Sequence, residues 1–181
     1  MFSNYTGVQV FTPRETQHES TQTLSLAAIL SIGECLSARS ETLSVAESCT
    51  GGQISVACTN VAGASRWFIE GVVTYANSAK VKRLGVTEQS LRENGAVSAE
   101  VASEMAQGVR NSSGATYGIA TTGIAGPTGA TPGKPVGTIY VAFATPQETF
   151  VKHLTCKGDR QENQAETVQT ALSMVCKHLH L

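Results

Sequence analysis

The chain has 181 residues, 41% of them hydrophobic, with 13 basic and 14 acidic side chains and a formal net charge of -1. That length and composition suit one globular domain with a core that needs no covalent staples, and they exclude a disordered chain. The charges are scattered, with no basic stripe to hold nucleic acid by electrostatics. Five cysteines without paired spacing (Cys35, Cys49, Cys58, Cys156, Cys176) argue against a disulfide framework, and the lack of a C-x-x-C pair argues against zinc. No basic-then-apolar leader and no apolar run approaching ~20 residues is present, so neither a signal peptide nor a membrane span is expected; the expected compartment is the cytoplasm.

Residues 1–21 are polar and without period and read as a flexible N-terminal arm, leaving 22–181 as the folded domain. Leu26, Ile29, Leu30, Gly33 and Leu36 recur at helical spacing and predict a helix over 23–38. Leu43 to Ala46 reads as a short buried strand. Gly51 and Gly52 open a second helix towards Asn60, followed by a loop over 61–65. Trp67 to Tyr75 is rich in aromatic and β-branched residues and reads as a strand. Ser78 to Leu84 suits a helical turn.

Thr87 can cap a short helix through Glu93. Ser98 can cap the next, with Glu100 in its first turn, Val101, Met105 and Val109 on its apolar face, and Ser113-Gly114 at its end. A strand over 117–121 leads into a Gly/Pro/Thr-rich loop over 123–134. Strands over 136–144 and 149–155 flank the turn signal Pro146-Gln147, and a helix over 161–178 closes the chain. Helices and strands alternate at first and two strands come together late, which predicts a three-layer α/β/α domain with a mixed, mostly parallel sheet.

Four segments carry candidate chemistry. Glu47-Ser48-Cys49-Thr50-Gly51-Gly52 runs from a strand into a helix. A serine held there could have a developing oxyanion met by the N–H groups of Thr50 and Gly51 at the helix N-terminus. The competing reading makes Ser48 a plain N-cap. Cys49 is a rival nucleophile, since a helix N-terminus also lowers a thiol pKa. The histidines are His18, His153, His178 and His180, none near in sequence, so a histidine triad has little support. Without histidine the base has to be another group, and a buried lysine serves. Thr74-Tyr75-Ala76-Asn77-Ser78-Ala79-Lys80 supplies Tyr75 and Lys80, whose bland readings are a strand aromatic and a solvated charge.

The segment Thr121-Thr122-Gly123-Ile124-Ala125-Gly126-Pro127-Thr128-Gly129, followed by Gly133-Lys134-Pro135-Val136-Gly137-Thr138, can present backbone N–H groups to an anion, or be a surface connection. It is not a Walker A motif: the spacing from Gly129 to Lys134 is wrong and Pro135 replaces the Ser/Thr. In Lys157-Gly158-Asp159-Arg160, Asp159 can cap the last helix and Arg160 can hold a phosphate or carboxylate.

Six stretches in order resemble the C-terminal domain family of the competence/damage-inducible protein CinA. They are 46–52, 71–77, 94–98, 123–127, 134–138 and 158–160, and the resemblance spans about Leu24 to Leu179. It implies a nicotinamide-nucleotide amidase, which hydrolyses nicotinamide mononucleotide to nicotinate mononucleotide and ammonia without metal or cofactor. The family's serine, tyrosine and lysine fall on Ser48, Tyr75 and Lys80. The Gly-Asp-Arg arginine falls on Arg160. Substrate binding is then expected from Thr50, Gly51, Gly123, Ile124, Ala125, Gly126 and Arg160, and a homodimer from the family precedent and the small size. Ser78 and Gln164 stand where many members carry Glu and Arg. They motivate the alternative of a catalytically weak or inactive paralogue that binds nucleotide as a regulatory module. A third reading is a cysteine amidase using Cys49.

Overall fold

The computed structural model describes residues 22–181, with side chains from residue 26 onward. The arm expected over 1–21 lies outside the described residues. Six helices and five strands follow one another as α1 (Gln22–Arg39), β1 (Leu43–Glu47), α2 (Gln53–Thr59), β2 (Phe68–Val73), α3 (Asn77–Leu84), α4 (Glu88–Glu93), α5 (Ala99–Ser113), β3 (Tyr117–Gly123), β4 (Thr138–Ala144), β5 (Thr149–Thr155) and α6 (Arg160–Leu179). A single 3-10 turn over Ala64–Arg66 interrupts the loop before β2.

The sheet order is β2-β1-β3-β4-β5. β1 pairs in parallel with both β2 and β3, and β4 pairs antiparallel with both β3 and β5. The pairs therefore divide evenly between the two kinds, yet only β4 runs against the other four strands. The expected mixed α/β/α sandwich is the architecture found.

Two cores explain why the layers stay apart. Leu43, Val45, Ile119, Ile139, Val141 and Phe143 point to the face covered by α1, α2 and α6. Their neighbours in each strand point the other way. There Ala46, Ala120, Ala142 and Ala144 meet α5 through Val101, Ala102, Met105, Ala106 and Val109, and Leu84 of α3 joins them. Large side chains thus fill the α1/α6 layer, while small ones let α5 lie close against the sheet. The indole of Trp67 leaves the β2 pattern to fill the space beside Gly33 of α1, within 2.7 Å of where a β-carbon would sit. The Trp67 N–H closes the 3-10 turn on the Ala64 carbonyl at 3.0 Å, and the strand begins at Phe68.

The local signals for helix ends hold. Thr87 accepts from the Ser90 N–H, Ser98 accepts from the Val101 N–H, and Gly114 closes α5 in the left-handed region. Asp159 and Glu162 form a reciprocal capping box at the start of α6. β4 starts two residues later than expected because Gly137 takes a φ of 90°, which breaks the strand geometry. Among the described residues no helix is long and apolar enough to cross a membrane.

Ile119 sits in the middle strand with no exposed surface. Ile119→Ala is expected to lower the unfolding free energy by about 2–5 kcal/mol, read from urea titration, because the cavity opens between two packed layers that cannot collapse.

Candidate active site

Ser48 follows the last residue of β1, Tyr75 comes two residues after β2, and Thr122 and Gly123 end β3. The three parallel strands therefore deliver their carboxyl ends to one place, where ligands enter open α/β sheets. A cavity of about 190 Å³ lies there, lined by Ser48, Cys49, Tyr75, Asn77, Lys80, Ala96, Val97, Thr122, Gly123, Ala125 and Arg160.

Ser48 does not cap α2. Gly51 and Gly52 carry the turn at φ values of 64° and 105°, where side chains are strained, and Gly52 is the N-cap without a side-chain bond. The cap comes from Glu47, fully buried at the end of β1. Its Oε2 accepts from the Gly52 and Ile54 N–H groups at 3.0 and 3.1 Å, and its Oε1 accepts from the Ser55 N–H and hydroxyl at 2.9 and 2.7 Å. The positive end of α2 is thus met by a carboxylate. The Ser48 hydroxyl is left free for another partner.

That partner is Lys80. Its Nζ stands 3.0 Å from Ser48 Oγ and donates to the Thr74 carbonyl at 2.7 Å and the Tyr75 carbonyl at 3.2 Å. The side chain is 1% exposed. Burial lowers its pKa from 10.5 to about 8, with a smaller opposing effect from Cys49. A neutral amine has two N–H bonds and one lone pair. The two carbonyls take the former, and the lone pair then faces the serine proton. α3 makes this possible: it is a full two-turn helix closed by Gly85, not the single turn expected, and it carries Lys80 inward beneath Ser48.

Of the remaining site residues expected from the sequence, Tyr75, Gly123, Ala125 and Arg160 line the cavity, while Thr50, Gly51, Ile124 and Gly126 do not. Tyr75 is 63% exposed, and its hydroxyl accepts from Arg160 Nη2 at 3.4 Å. Arg160 Nη1 donates to the Gly126 carbonyl at 2.9 Å. The Thr50 hydroxyl is paired with that of Thr121 at 2.7 Å. Two backbone donors are already engaged: the Gly51 N–H bonds to the Ser48 carbonyl at 3.2 Å, and the Ile124 N–H to the Thr138 carbonyl at 2.9 Å. Gly51 is therefore not the oxyanion donor expected, and the glycine loop is less of an open cradle than its composition suggests. Among the described residues neither the Cys49 nor the Thr50 N–H donates to a backbone carbonyl.

Cys49 is 4% exposed, and burial pushes its thiol up to about 12, the opposite of an activated nucleophile. Asn77, Ala96, Val97 and Thr122 line the cavity without having been given a role from the sequence. All four fall inside or beside the motif stretches, but nothing local says which residues of a stretch face a ligand. Ser78 is exposed and outside the lining. Gln164 is also outside the lining and donates to the Cys49 carbonyl, in the turn after Ser48, at 2.7 Å.

An α/β/α domain with a serine and a buried lysine at the carboxyl ends of its parallel strands is the class of protein these features define. The CinA C-terminal domain family matches residues 26–179, and the chain belongs to that family. It is similar to a putative competence-damage inducible protein from Thermoanaerobacter sp. (strain X514), with 52% identity over 76% of this chain and 33% of the relative. A CinA-like protein from Kosmotoga olearia is 49% identical over 76% of this chain and 34% of its own length. The chain thus spans about a third of the length of the curated relatives it matches. Among solved structures, competence/damage-inducible protein CihA from Agrobacterium tumefaciens superposes with a TM-score of 0.84 at 34% identity, covering 92% of this chain and 100% of that one. Competence damage-inducible protein A from Klebsiella pneumoniae gives 0.83 at 33% identity, over 86% and 97%.

The lowered lysine pKa has a sign that can be checked. Between pH about 8 and 10.5 the unfolded chain holds the Lys80 proton and the folded chain has released it, so stability rises with pH across that window. Wild type is expected to gain on Lys80→Met in urea midpoint as pH goes from 8 to 10.5; parallel midpoints would contradict a lowered pKa.

Proposed function

We propose that this chain is a serine amidohydrolase that deamidates nicotinamide mononucleotide to nicotinate mononucleotide and ammonia, a step of pyridine-nucleotide salvage. The observation that carries the reading is the 3.0 Å approach of a buried, low-pKa Lys80 amine to Ser48 Oγ. The family resemblance supplies the substrate.

In this mechanism Ser48 Oγ attacks the carboxamide carbon as its proton passes to the lone pair of Lys80. Lys80 reaches the serine directly, so no relay through Tyr75 is required. The oxyanion is met by backbone N–H groups of the turn after Ser48; each such donor is worth about 3 kcal/mol in serine enzymes. Collapse of the tetrahedral intermediate breaks the C–N bond, and the Lys80 proton leaves with ammonia. Water then attacks the acyl-serine, giving its proton to Lys80; as the second tetrahedral intermediate collapses the acyl C–O bond breaks, that proton passes to Ser48 Oγ, and nicotinate mononucleotide departs.

The cavity of about 190 Å³ is smaller than the roughly 300 Å³ at which ligand pockets begin. It suits the carboxamide and its ring, with ribose and phosphate lying at the mouth beside Arg160. The pyridinium ring is cationic, and the exposed face of Tyr75 at that mouth is a suitable surface for it. No carboxylate lines the cavity, which favours an anionic substrate over a neutral one.

The test is ammonia release from nicotinamide mononucleotide. Wild type is expected to be active, and Ser48→Ala and Lys80→Ala are expected to lose about 10³-fold or more in kcat. An active wild type whose rate survives Ser48→Ala would rule out the serine mechanism. Nucleotide binding by calorimetry with no turnover would replace the amidase with a regulatory module. At the mouth, Tyr75→Phe is expected to keep KM within about twofold and Tyr75→Ala to raise it about fivefold, the signature of a ring contact and not of a proton relay.

A further inference from the structure

The first two turns of α6 grip both walls of the cavity. Asn163, with no exposed surface, donates from Nδ2 to the Ala125 carbonyl at 3.0 Å and accepts from the Gly158 N–H at 3.0 Å. Gln164, 8% exposed, donates from Nε2 to the Cys49 carbonyl at 2.7 Å, and its Oε1 accepts from Gln53 Nε2 at 3.0 Å. Arg160, one turn before Gln164 on the same helix face, holds the Gly126 carbonyl. One rigid helix therefore sets the nucleophile turn against the loop that faces it.

The contact at Cys49 has a consequence for chemistry. The Cys49 carbonyl and the Thr50 N–H belong to one planar trans peptide and point in opposite directions. Gripping the carbonyl from the α6 side turns the N–H away from α6. α6 packs in the α1/α2 core, whereas Lys80 belongs to α3, which packs with α5 on the other face of the sheet. The Thr50 N–H is thereby directed to the side from which Lys80 reaches Ser48, and it donates to no backbone carbonyl among the described residues. A hydrogen bond accepted by the carbonyl also polarises the peptide and strengthens its N–H as a donor.

We infer that Gln164 is a positioning residue: by holding the Cys49 carbonyl it aims and polarises the Thr50 N–H as the oxyanion donor for Ser48. This rests on the serine reading of the site but not on its substrate. An amide suits the position because it has to accept from Gln53 and donate to a carbonyl at once. A carboxylate of the same shape would place an acceptor against the Cys49 oxygen.

The test is labelling of Ser48 by a small fluorophosphonate, followed by intact mass and peptide mapping. Ser48 Oγ bonds to phosphorus, fluoride leaves with the P–F electron pair, and the serine proton passes to Lys80. Gln164→Ala, Gln164→Met and Gln164→Glu are expected to lower the maximal labelling rate about tenfold, less than the 10²–10³ for deleting a donor outright. The half-saturating probe concentration and the pH midpoint set by Lys80 are expected to stay unchanged, which a general loosening of the fold would not allow. Gln53→Ala removes only the outer partner and is expected to slow labelling less than about threefold. Gln164→Met keeps the volume and decides the matter if Gln164→Ala is too unstable to measure. A folded Gln164→Met that labels at the wild-type rate, or a wild type not labelled at Ser48, overturns the inference. Labelling that responds to Gln164 in a protein that leaves nicotinamide mononucleotide intact retires the substrate reading and keeps this one.

Discussion

The site depends on one amine held out of water. A lysine on an exposed helix stays protonated and can do nothing for a serine at neutral pH. Lys80 is buried, its pKa is drawn down to about 8, and two backbone carbonyls fix where its N–H bonds go. Those carbonyls, of Thr74 and Tyr75, lie just beyond the end of β2, so an edge strand helps to place the Lys80 amine and is not merely part of the sheet. The burial that costs folding energy at neutral pH is the same burial that lowers the lysine pKa.

The serine depends on a second buried charge, and the two are kept separate. Glu47 occupies four donors around the start of α2. A carboxylate spent in this way does not form an ion pair with Lys80, which would have raised the lysine pKa and quenched the base. It also relieves Ser48 of capping duty, the role that a serine in that sequence position most often takes. Burying both ionisable groups at one site works because Glu47 is satisfied by three N–H groups and the Ser55 hydroxyl at the start of α2, and Lys80 by two carbonyls and the Ser48 hydroxyl, and not by each other.

The asymmetry of the two cores serves the same end. Alanines on one face of the sheet let α5 lie close, with α3 beside it, bringing Lys80 in beneath the strand ends. Bulky residues on the other face seat α1, α2 and α6. The first two turns of α6 then reach over to Cys49, Ala125 and Gly126 with Gln164, Asn163 and Arg160. The candidate site is a seam between two differently packed layers, tied across by polar side chains from one helix.

Much of this was legible in the chain itself. Periodicity and caps determined nearly every element, because Thr87, Ser98, Gly114 and Asp159 act within one turn of where they stand. The ordered motifs singled out Ser48, Tyr75, Lys80 and Arg160. Tertiary structure alone decided the rest. Whether Lys80 is solvated or buried depends on which way α3 faces, and whether Ser48 caps α2 or is left to meet Lys80 depends on Glu47 folding back on α2. The availability of an N–H depends on ladders with residues far along the chain, such as Ile124 with Thr138. The sequence shows Gln164 only as a position where many members carry Arg; its bond to the Cys49 carbonyl could not be read there, because that partner lies 115 positions away. Local sequence specifies what a residue can do; burial and distant hydrogen-bond partners specify which of those things it does.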